Sequence, residues 1–201
     1  MYLKIRKLIP IKIHSITMKK VIILGVLIFV FGACGTHNQN KTYETNTTLD
    51  AMVENKTFEI KSSWAAPQVT QTMQQLGNVG LLPQGSTSGN IDISSHTNFL
   101  KMEQGSVKAV LPFYGERQFG GGYNNNEGIE FEGIPDDLHI EKGKKAEYSI
   151  RFKIKDKNSK SEQYQVYITL YSNLTSSITI NSTQRNTIQY KGNVSKLDSE
   201  T

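Results

Sequence analysis

The chain has 201 residues, with 23 Lys and Arg, 18 Asp and Glu, and a formal net charge of +5. Six basic residues and no acidic residue fall within the first 33 positions, so the remainder carries 17 basic and 18 acidic residues and a net charge of −1. A nearly neutral remainder gives no support to nucleic-acid binding, because such proteins need a basic surface against the phosphates.

Residues 1–33 predict a signal peptide. Lys19 and Lys20 precede an apolar run of 13 residues, Val21 to Ala33, which is shorter than the roughly 20 residues of a membrane-spanning helix. Because Met18 by itself opens a complete export signal, we expect translation to start at Met18 rather than at Met1.

Cys34 is the one cysteine of the chain and follows the small residues Gly32 and Ala33. This placement resembles the bacterial lipobox, in which the cysteine thiol receives a diacylglyceryl group, although Phe31 stands where Leu or Val is usual. The alternative is an ordinary signal peptide whose cleavage falls near a buried or free cysteine. The polar residues 34–48 predict a lipidated, flexible tether. Since Gly35 rather than Asp follows the cysteine, the expected location is the periplasmic face of the outer membrane.

Residues 49–201 predict a single β domain. Apolar and polar residues alternate from Ala146 to Lys155 and again from Tyr164 to Leu170, and the turn residues between them favour a hairpin. Gln104 and Gly105 predict a second tight turn. Shorter alternating runs occur around Phe58, Ile91, Phe99, Val107, Ile129, Ile178 and Ile188. The expected fold is mainly β, an antiparallel meander that forms a barrel or a two-sheet sandwich, with one short helix.

The predicted helix follows Pro67. Val69, Met73 and Leu76 lie at helical spacing, and Gly77 is placed to end the helix. A short helical turn is also plausible from Leu49 to Glu54.

No enzyme class is supported by a motif. The four histidines are scattered and give no metal-ligand spacing, so neither a metal nor a cofactor is expected. Glu116 or Asp136 are the carboxylates available to a glycan hydrolase. Glu130 and Glu132 alternate with buried positions and are interpreted as the solvated face of a strand.

The stretch GERQFGGGYNNN forms a long connection between two strands. It lacks the Lys-Ser/Thr and the helix of a phosphate-binding loop. Its glycines allow positive φ, while Glu116, Arg117 and Tyr123 are candidate ligand-binding residues. The alternative is structural, with Glu116 and Arg117 in ion pairs that hold the loop and Tyr123 as a lid over the core.

Two further candidates for ligand binding lie elsewhere. Trp64 is expected just past a strand, either as a core anchor or as a platform for a ligand. Arg185 is expected in a turn between two strands, where it either reaches a carboxylate such as Glu116 or faces water.

Four segments resemble the domain of unknown function 4251 family, lipoproteins of Bacteroidota. They are FEIKSSWAAPQ, GLLPQGSTSGNIDI, VKAVLPFYGERQFGGGYNNNEGIEFEG and YQVYITLYSNLTSSITINSTQRNTIQYKGNV. The similarity covers about Thr57 to Val194, and it is most specific from Leu111 to Tyr123 and from Ser182 to Tyr190. The resemblance implies an exported, lipid-anchored, mostly β domain, and it supplies no catalytic residue.

Three functions remain open at this point. The first is a non-enzymatic lipoprotein that binds a small molecule or an envelope protein at the end of the fold carrying Gly120 to Gly122. The second is an envelope glycan hydrolase, and the third is a structural or assembly subunit without a pocket.

Overall fold

The computed structural model describes residues 45–119, 128–159 and 161–197. The predicted leader, Cys34, the three glycines from Gly120 to Gly122, and Tyr123 lie outside these residues. Two helices and ten strands are described: α1 Thr47–Glu54, β1 Phe58–Pro67, α2 Gln71–Asn78, β2 Ile91–Asp92, β3 Phe99–Glu103, β4 Ser106–Leu111, β5 Ile129–Gly133, β6 Asp136–Lys142, β7 Tyr148–Lys155, β8 Gln163–Leu170, β9 Thr175–Ser182 and β10 Ile188–Ser195.

All pairings among the described strands are antiparallel and join them into one sheet. The strand order is β5-β4-β3-β1-β10-β9-β8-β7-β6, and β2 pairs additionally with β1. The prediction of a mainly β, antiparallel fold is confirmed. The sheet is curled into a half-barrel, which is nearer to the predicted barrel than to a two-sheet sandwich.

Aromatic packing joins the two ends of the curled sheet. Phe131 lies on β5, at one end of the strand order, and its ring centroid is 6.1 Å from that of Phe152 on β7 and 6.0 Å from that of Tyr164 on β8. All three side chains are 1% exposed or less. The hydrophobic core therefore fills the concave face of the half-barrel, and the opposite face of the sheet is its outer face.

The period of two explains why these strands form a sheet with one buried face and one solvent-exposed face. On β8 the buried residues are Tyr164, Val166, Ile168 and Leu170, and the residues between them are exposed or half-buried. On β7 and β8 the predicted alternation and the hairpin are confirmed. The tight turn at Gln104 and Gly105 is confirmed as well, between β3 and β4, with positive φ at both residues.

Helix α1 closes part of the core. Leu49, Met52 and Val53 are buried, and the Asn46 side chain caps the helix by accepting hydrogen bonds from the N–H groups of Thr48 and Leu49. The predicted turn over 49–54 is thus the end of a longer helix that begins at Thr47. Capping is what fixes this start, because the side-chain oxygen satisfies helix N–H groups that have no partner within the helix.

Helix α2 begins later than the sequence predicts. Strand β1 extends through Pro67, Thr70 caps the helix, and Gly77 lies within it instead of ending it. Met73 is buried as expected, whereas Val69 is 49% exposed. No helix within the described residues has the length and apolar character to cross a membrane.

Candidate functional site

Three of the described charged residues meet at one edge of the core. Glu162 directly precedes β8, Arg185 lies in the connection between β9 and β10, and Arg117 lies in the segment that follows β4. Glu162 is 0% exposed and Arg185 is 6% exposed. A carboxylate removed from water in this way needs charged and hydrogen-bonding partners, since an unpaired buried charge is strongly destabilising.

Both arginines donate to the Glu162 carboxylate. Arg185 Nε lies 2.8 Å from Oε1 and Arg117 Nη2 lies 2.5 Å from Oε2. The hydroxyl of Ser182 donates to Oε1 at 2.6 Å. Burial alone raises the pKa of Glu162, but the hydrogen bond from Ser182 and the guanidinium of Arg185 outweigh it and set the pKa below its ordinary value. Glu162 is therefore ionised at neutral pH.

Arg185 also holds two neighbouring segments in place. Its Nη1 donates to the carbonyl oxygen of Gly128 at 2.7 Å, and its guanidinium lies over the ring of Phe113 at 5.2 Å. The hydroxyl of Tyr190 donates to the carbonyl oxygen of Pro112 at 2.8 Å. These contacts fix both ends of the connection that contains Gly120 to Gly122.

Backbone hydrogen bonds add to this attachment. Arg117 and Arg185 form an antiparallel bridge, the N–H of Gln118 donates to Gln184 O at 2.7 Å, and the N–H of Asn186 donates to Glu116 O at 3.1 Å. Backbone hydrogen bonds therefore join the described start of the loop to the connection between β9 and β10. The structural alternative for Arg117 gains support, with Glu162 as the partner in its ion pair.

Glu116 lies apart from the ion pairs. Hydrogen bonds from the side chains of Thr72 and Thr70 hold the pKa of its carboxyl below the ordinary value. The expected contact between Arg185 and Glu116 is replaced by the contact between Arg185 and Glu162. Glu116 instead links the loop to the beginning of α2.

Trp64 lies within β1, not just past a strand as the sequence predicts. The pairing of β1 with β10 shifts between Ser62 and Trp64, so Ser63 is an extra residue in a β-bulge. Ile60 and Ser62 are buried before the bulge, and Ala65 is buried after it. Because one inserted residue reverses which face each later side chain occupies, Trp64 is directed away from the core and is half-buried on the outer face.

Gly192 lies opposite the bulge and makes it possible. A Cβ atom at this position would lie 2.0 Å from the carbonyl oxygen of Lys61 and 2.6 Å from the Cα of Ser62. Both atoms belong to the backbone and have little freedom to move. Close approach of two backbones is one of the reasons for glycine in a strand.

Two adjoining hollows lie beside Trp64 on the outer face of the sheet. The first has a volume of about 540 Å³ and the second about 610 Å³. Tyr171 and Thr175 line both, so the hollows meet there, and together we call them the outer groove. The first is lined by Ser63, Trp64, Tyr171, Thr175, Ser176, Ser177, Gln189, Lys191, Gly192 and Asn193, and the second by Lys145, Glu147, Ser149, Thr169, Tyr171, Ser172, Asn173 and Thr175.

The outer groove combines aromatic surface with neutral polar groups. Tyr171 is 43% exposed, a high value for a large aromatic side chain. Glu147 lines the second hollow, and its Oε2 is buried with no hydrogen-bond partner among the described residues. A buried polar atom without a partner is uncommon in folded proteins and is costly.

The sequence pattern identified some of these residues and missed others. Trp64, Arg117 and Arg185 were predicted, and the structure places the two arginines together while Trp64 lies at the separate outer groove. Glu162 and Tyr171 were missed. In the sequence, Glu162 lies among the polar residues of a turn. Its burial depends on the pairing of β8 with β9, and no local sequence pattern indicates that pairing. Tyr171 carries one local signal, since an aromatic residue directly before Ser-Asn is unusual in a turn.

A family model described as a domain of unknown function, DUF4251, matches residues 40–194. The chain belongs to the DUF4251 family. This confirms the resemblance predicted from the sequence, and the match includes both the Glu162 ion pairs and the outer groove.

The fold of this DUF4251 protein is similar to one solved structure of the family. It is the crystal structure of a DUF4251 family protein from Bacteroides eggerthii DSM 20697, with a TM-score of 0.51 and 17% sequence identity, over 77% of this chain and 89% of the other. At this identity the likeness concerns the fold alone. No curated protein matches the chain.

Proposed function

We propose that this DUF4251 protein is an exported lipoprotein that binds a ligand of the cell envelope in the outer groove, without catalysing a reaction. The observation that supports this most is the outer groove itself, in which two hollows of about 540 and 610 Å³ meet at Tyr171 beside Trp64. Volumes of this size are typical of small-molecule sites, and Trp64 and Tyr171 add aromatic surface to an otherwise polar lining.

The ion pairs of Glu162 favour the outer groove over the loop as the binding site. The guanidinium groups of Arg117 and Arg185 both contact the buried carboxylate. Drawing either guanidinium toward a ligand would weaken the neutralisation of the buried carboxylate, and the loss of a charge partner inside a protein is costly. We therefore interpret the two arginines as supports of the loop, and Trp64 as the sequence-predicted residue that contacts the ligand.

The pKa of Glu116 argues against this residue as the general acid of a glycan hydrolase. A general acid needs a raised pKa, near the working pH. The hydrogen bonds from Thr72 and Thr70 shift the pKa of Glu116 in the opposite direction. Glu116 therefore does not suit the role of general acid, and the proposal of a binding module rests on the outer groove.

The place where the chain enters the domain suits a tethered binding module. The Asn46 side-chain amide donates to the carbonyl oxygen of Ser172 at 2.8 Å, and Ser172 lines the second hollow. The outer groove thus lies beside the point at which the predicted tether joins the domain. We propose that the lipid is carried by Cys34 and that the domain lies on the periplasmic face of the outer membrane.

Substituting Cys34→Ser is expected to release the protein from the membrane. The thiol is the acceptor of the diacylglyceryl group in the predicted lipobox, and two or more acyl chains are needed for stable anchoring. Cell fractionation and labelling with a palmitate analogue provide the measurement, with Thr36→Ser as the matched control. Membrane association and label retained by Cys34→Ser would refute the anchor.

A detergent-solubilised envelope extract from a Bacteroides strain is expected to raise the thermal unfolding midpoint of the full-length protein. A ligand that binds the folded state and not the unfolded state stabilises the folded state by mass action. Tyr171→Ser is expected to remove this stabilisation, because Tyr171 lines both hollows.

The matched control is Phe119→Ser, which alters another exposed aromatic residue, 69% exposed, at the loop. This variant is expected to respond to the extract like the unaltered protein. A response lost in Phe119→Ser and kept in Tyr171→Ser would move the site to the loop and contradict the proposal. No response of the unaltered protein would refute binding.

A further inference from the structure

We infer that the ligand of the outer groove is a neutral oligosaccharide. This inference rests on the proposed function and adds the chemical class of the ligand. A sugar ring has an apolar face of C–H groups and a rim of hydroxyl groups. The protein side chains that match it are exposed aromatic rings together with uncharged hydrogen-bonding groups.

Two strands, β10 and β9, lie between the strand that carries Trp64 and the strand that ends just before Tyr171. Trp64 pairs with Lys191, Lys191 with Ser177, and Ser177 with Thr169, two residues before Tyr171. Three strand spacings across the sheet and two residues along it place the backbones of Trp64 and Tyr171 roughly 16 Å apart. An extended chain of sugars can span this distance along the first hollow, which both residues line.

Hydroxyl and amide groups line the floor between the two rings. Thr175, Ser177, Gln189 and Asn193 all lie along the first hollow, and the Gln189 amide is positioned by donating to the hydroxyl of Ser177 at 3.1 Å. These groups both donate and accept hydrogen bonds. That versatility suits hydroxyl ligands, which also do both.

The charge of the outer groove argues against anionic ligands. Lys145, Lys191 and Glu147 are the charged residues among those that line the hollows, so the first hollow carries one positive charge and the second carries one positive and one negative charge. A phosphate-rich ligand requires clustered basic groups. The serine-rich lining also differs from the centres of protein interfaces, where serine is depleted.

Glu147 offers an acceptor for a ligand hydroxyl. Its Oε2 is buried without a donor among the described residues. The terminal torsion of a glutamate side chain is soft, so the carboxylate can turn toward the second hollow. A hydroxyl donating to it there removes the cost of the unsatisfied oxygen.

The test uses the glycan fraction of the envelope extract, freed of lipid by solvent and of protein by protease. This fraction is expected to raise the thermal unfolding midpoint of the full-length protein as the whole extract does. Periodate oxidation, which cleaves the vicinal diols of sugars, is expected to abolish the effect. Replacing Trp64 or Tyr171 by Ala is expected to raise the half-maximal concentration about tenfold, whereas Trp64→Phe keeps most of the affinity.

Three outcomes overturn the inference. If the whole extract stabilises the protein and the glycan fraction does not, the ligand belongs to another class and the proposed function stands without this inference. An effect of the glycan fraction that survives periodate or that Phe119→Ala removes also contradicts it. If the whole extract has no effect, the proposed function itself fails.

Discussion

Replacing Glu162 by Gln is expected to lower the free energy of unfolding by about 3 to 5 kcal/mol. Glu162 is 0% exposed and accepts hydrogen bonds from Arg185, Arg117 and Ser182. A neutral amide of the same shape removes the negative charge that Glu162 places against the buried guanidinium of Arg185. Denaturant unfolding measured by circular dichroism determines the loss.

The same variant is expected to change the response to acid. The pKa of Glu162 is held below its ordinary value of 4.5, so the folded state binds fewer protons there than the unfolded state. The contribution to stability is complete above pH 4.5 and is lost as the pH falls through the pKa of the folded state. The difference in stability between the unaltered protein and Glu162→Gln should therefore shrink below pH 4.5.

Two control variants test whether the cost of Glu162→Gln arises from the loss of a buried charge. Glu132 bonds Lys108 and Lys157, but its side chain is 43% exposed, so Glu132→Gln is expected to have little effect. Arg117→Gln is expected to cost less than Glu162→Gln, because Arg185 still neutralises the carboxylate. Equal losses in Glu132→Gln and Glu162→Gln would contradict the assignment of Glu162 as the anchor of the loop.

Replacing Gly192 by Ala is expected to destabilise the protein by about 3 kcal/mol. The added Cβ would lie 2.0 Å from the carbonyl oxygen of Lys61, so one of the two strands must move. The movement falls on the bulge that directs Trp64 to the outer face. We expect a shift in tryptophan fluorescence in the folded variant as well, because Trp64 is the one tryptophan of the chain.

Gly77 provides the matched control for Gly192. It lies within α2, and a Cβ there would meet Leu82 and Ser88 at 3.7 Å, an ordinary contact. Gly77→Ala is expected to stabilise the protein by up to about 1 kcal/mol, since glycine lowers helix stability. If Gly192→Ala were as stable as the unaltered protein, the bulge would not require the absence of a side chain at this position.

The class of the fold was predictable because it follows from local pattern. Residues close together in the chain determine the alternation of apolar and polar side chains on β7 and β8. The same holds for the turn at Gln104 and Gly105. The curl of the sheet was not predictable, because it depends on the packing of Phe131 against Phe152 and Tyr164 across the two ends. Helix α2 was placed too early because β1 continues through Pro67, an end position at which a strand tolerates proline.

The candidate site was predictable only in part. Arg117 and Arg185 stand out as charges in turns, but their partner Glu162 is far from Arg117 in sequence and is found only through the strand pairing. Trp64 stands out as a single tryptophan. Its direction depends on Ser63, the extra residue of a bulge, which shifts the alternation by one position. An insertion of this kind leaves no signal in composition or period.

Binding in the outer groove is tested most directly by the fluorescence of Trp64 during titration of the full-length protein with the envelope extract. Because the chain has one tryptophan and it lines the first hollow, the emission reports on this site. The account predicts a saturable change in emission that follows the rise in thermal midpoint and that Tyr171→Ser removes. A rise in thermal midpoint with no change in the emission of Trp64 would place the ligand elsewhere and contradict the account.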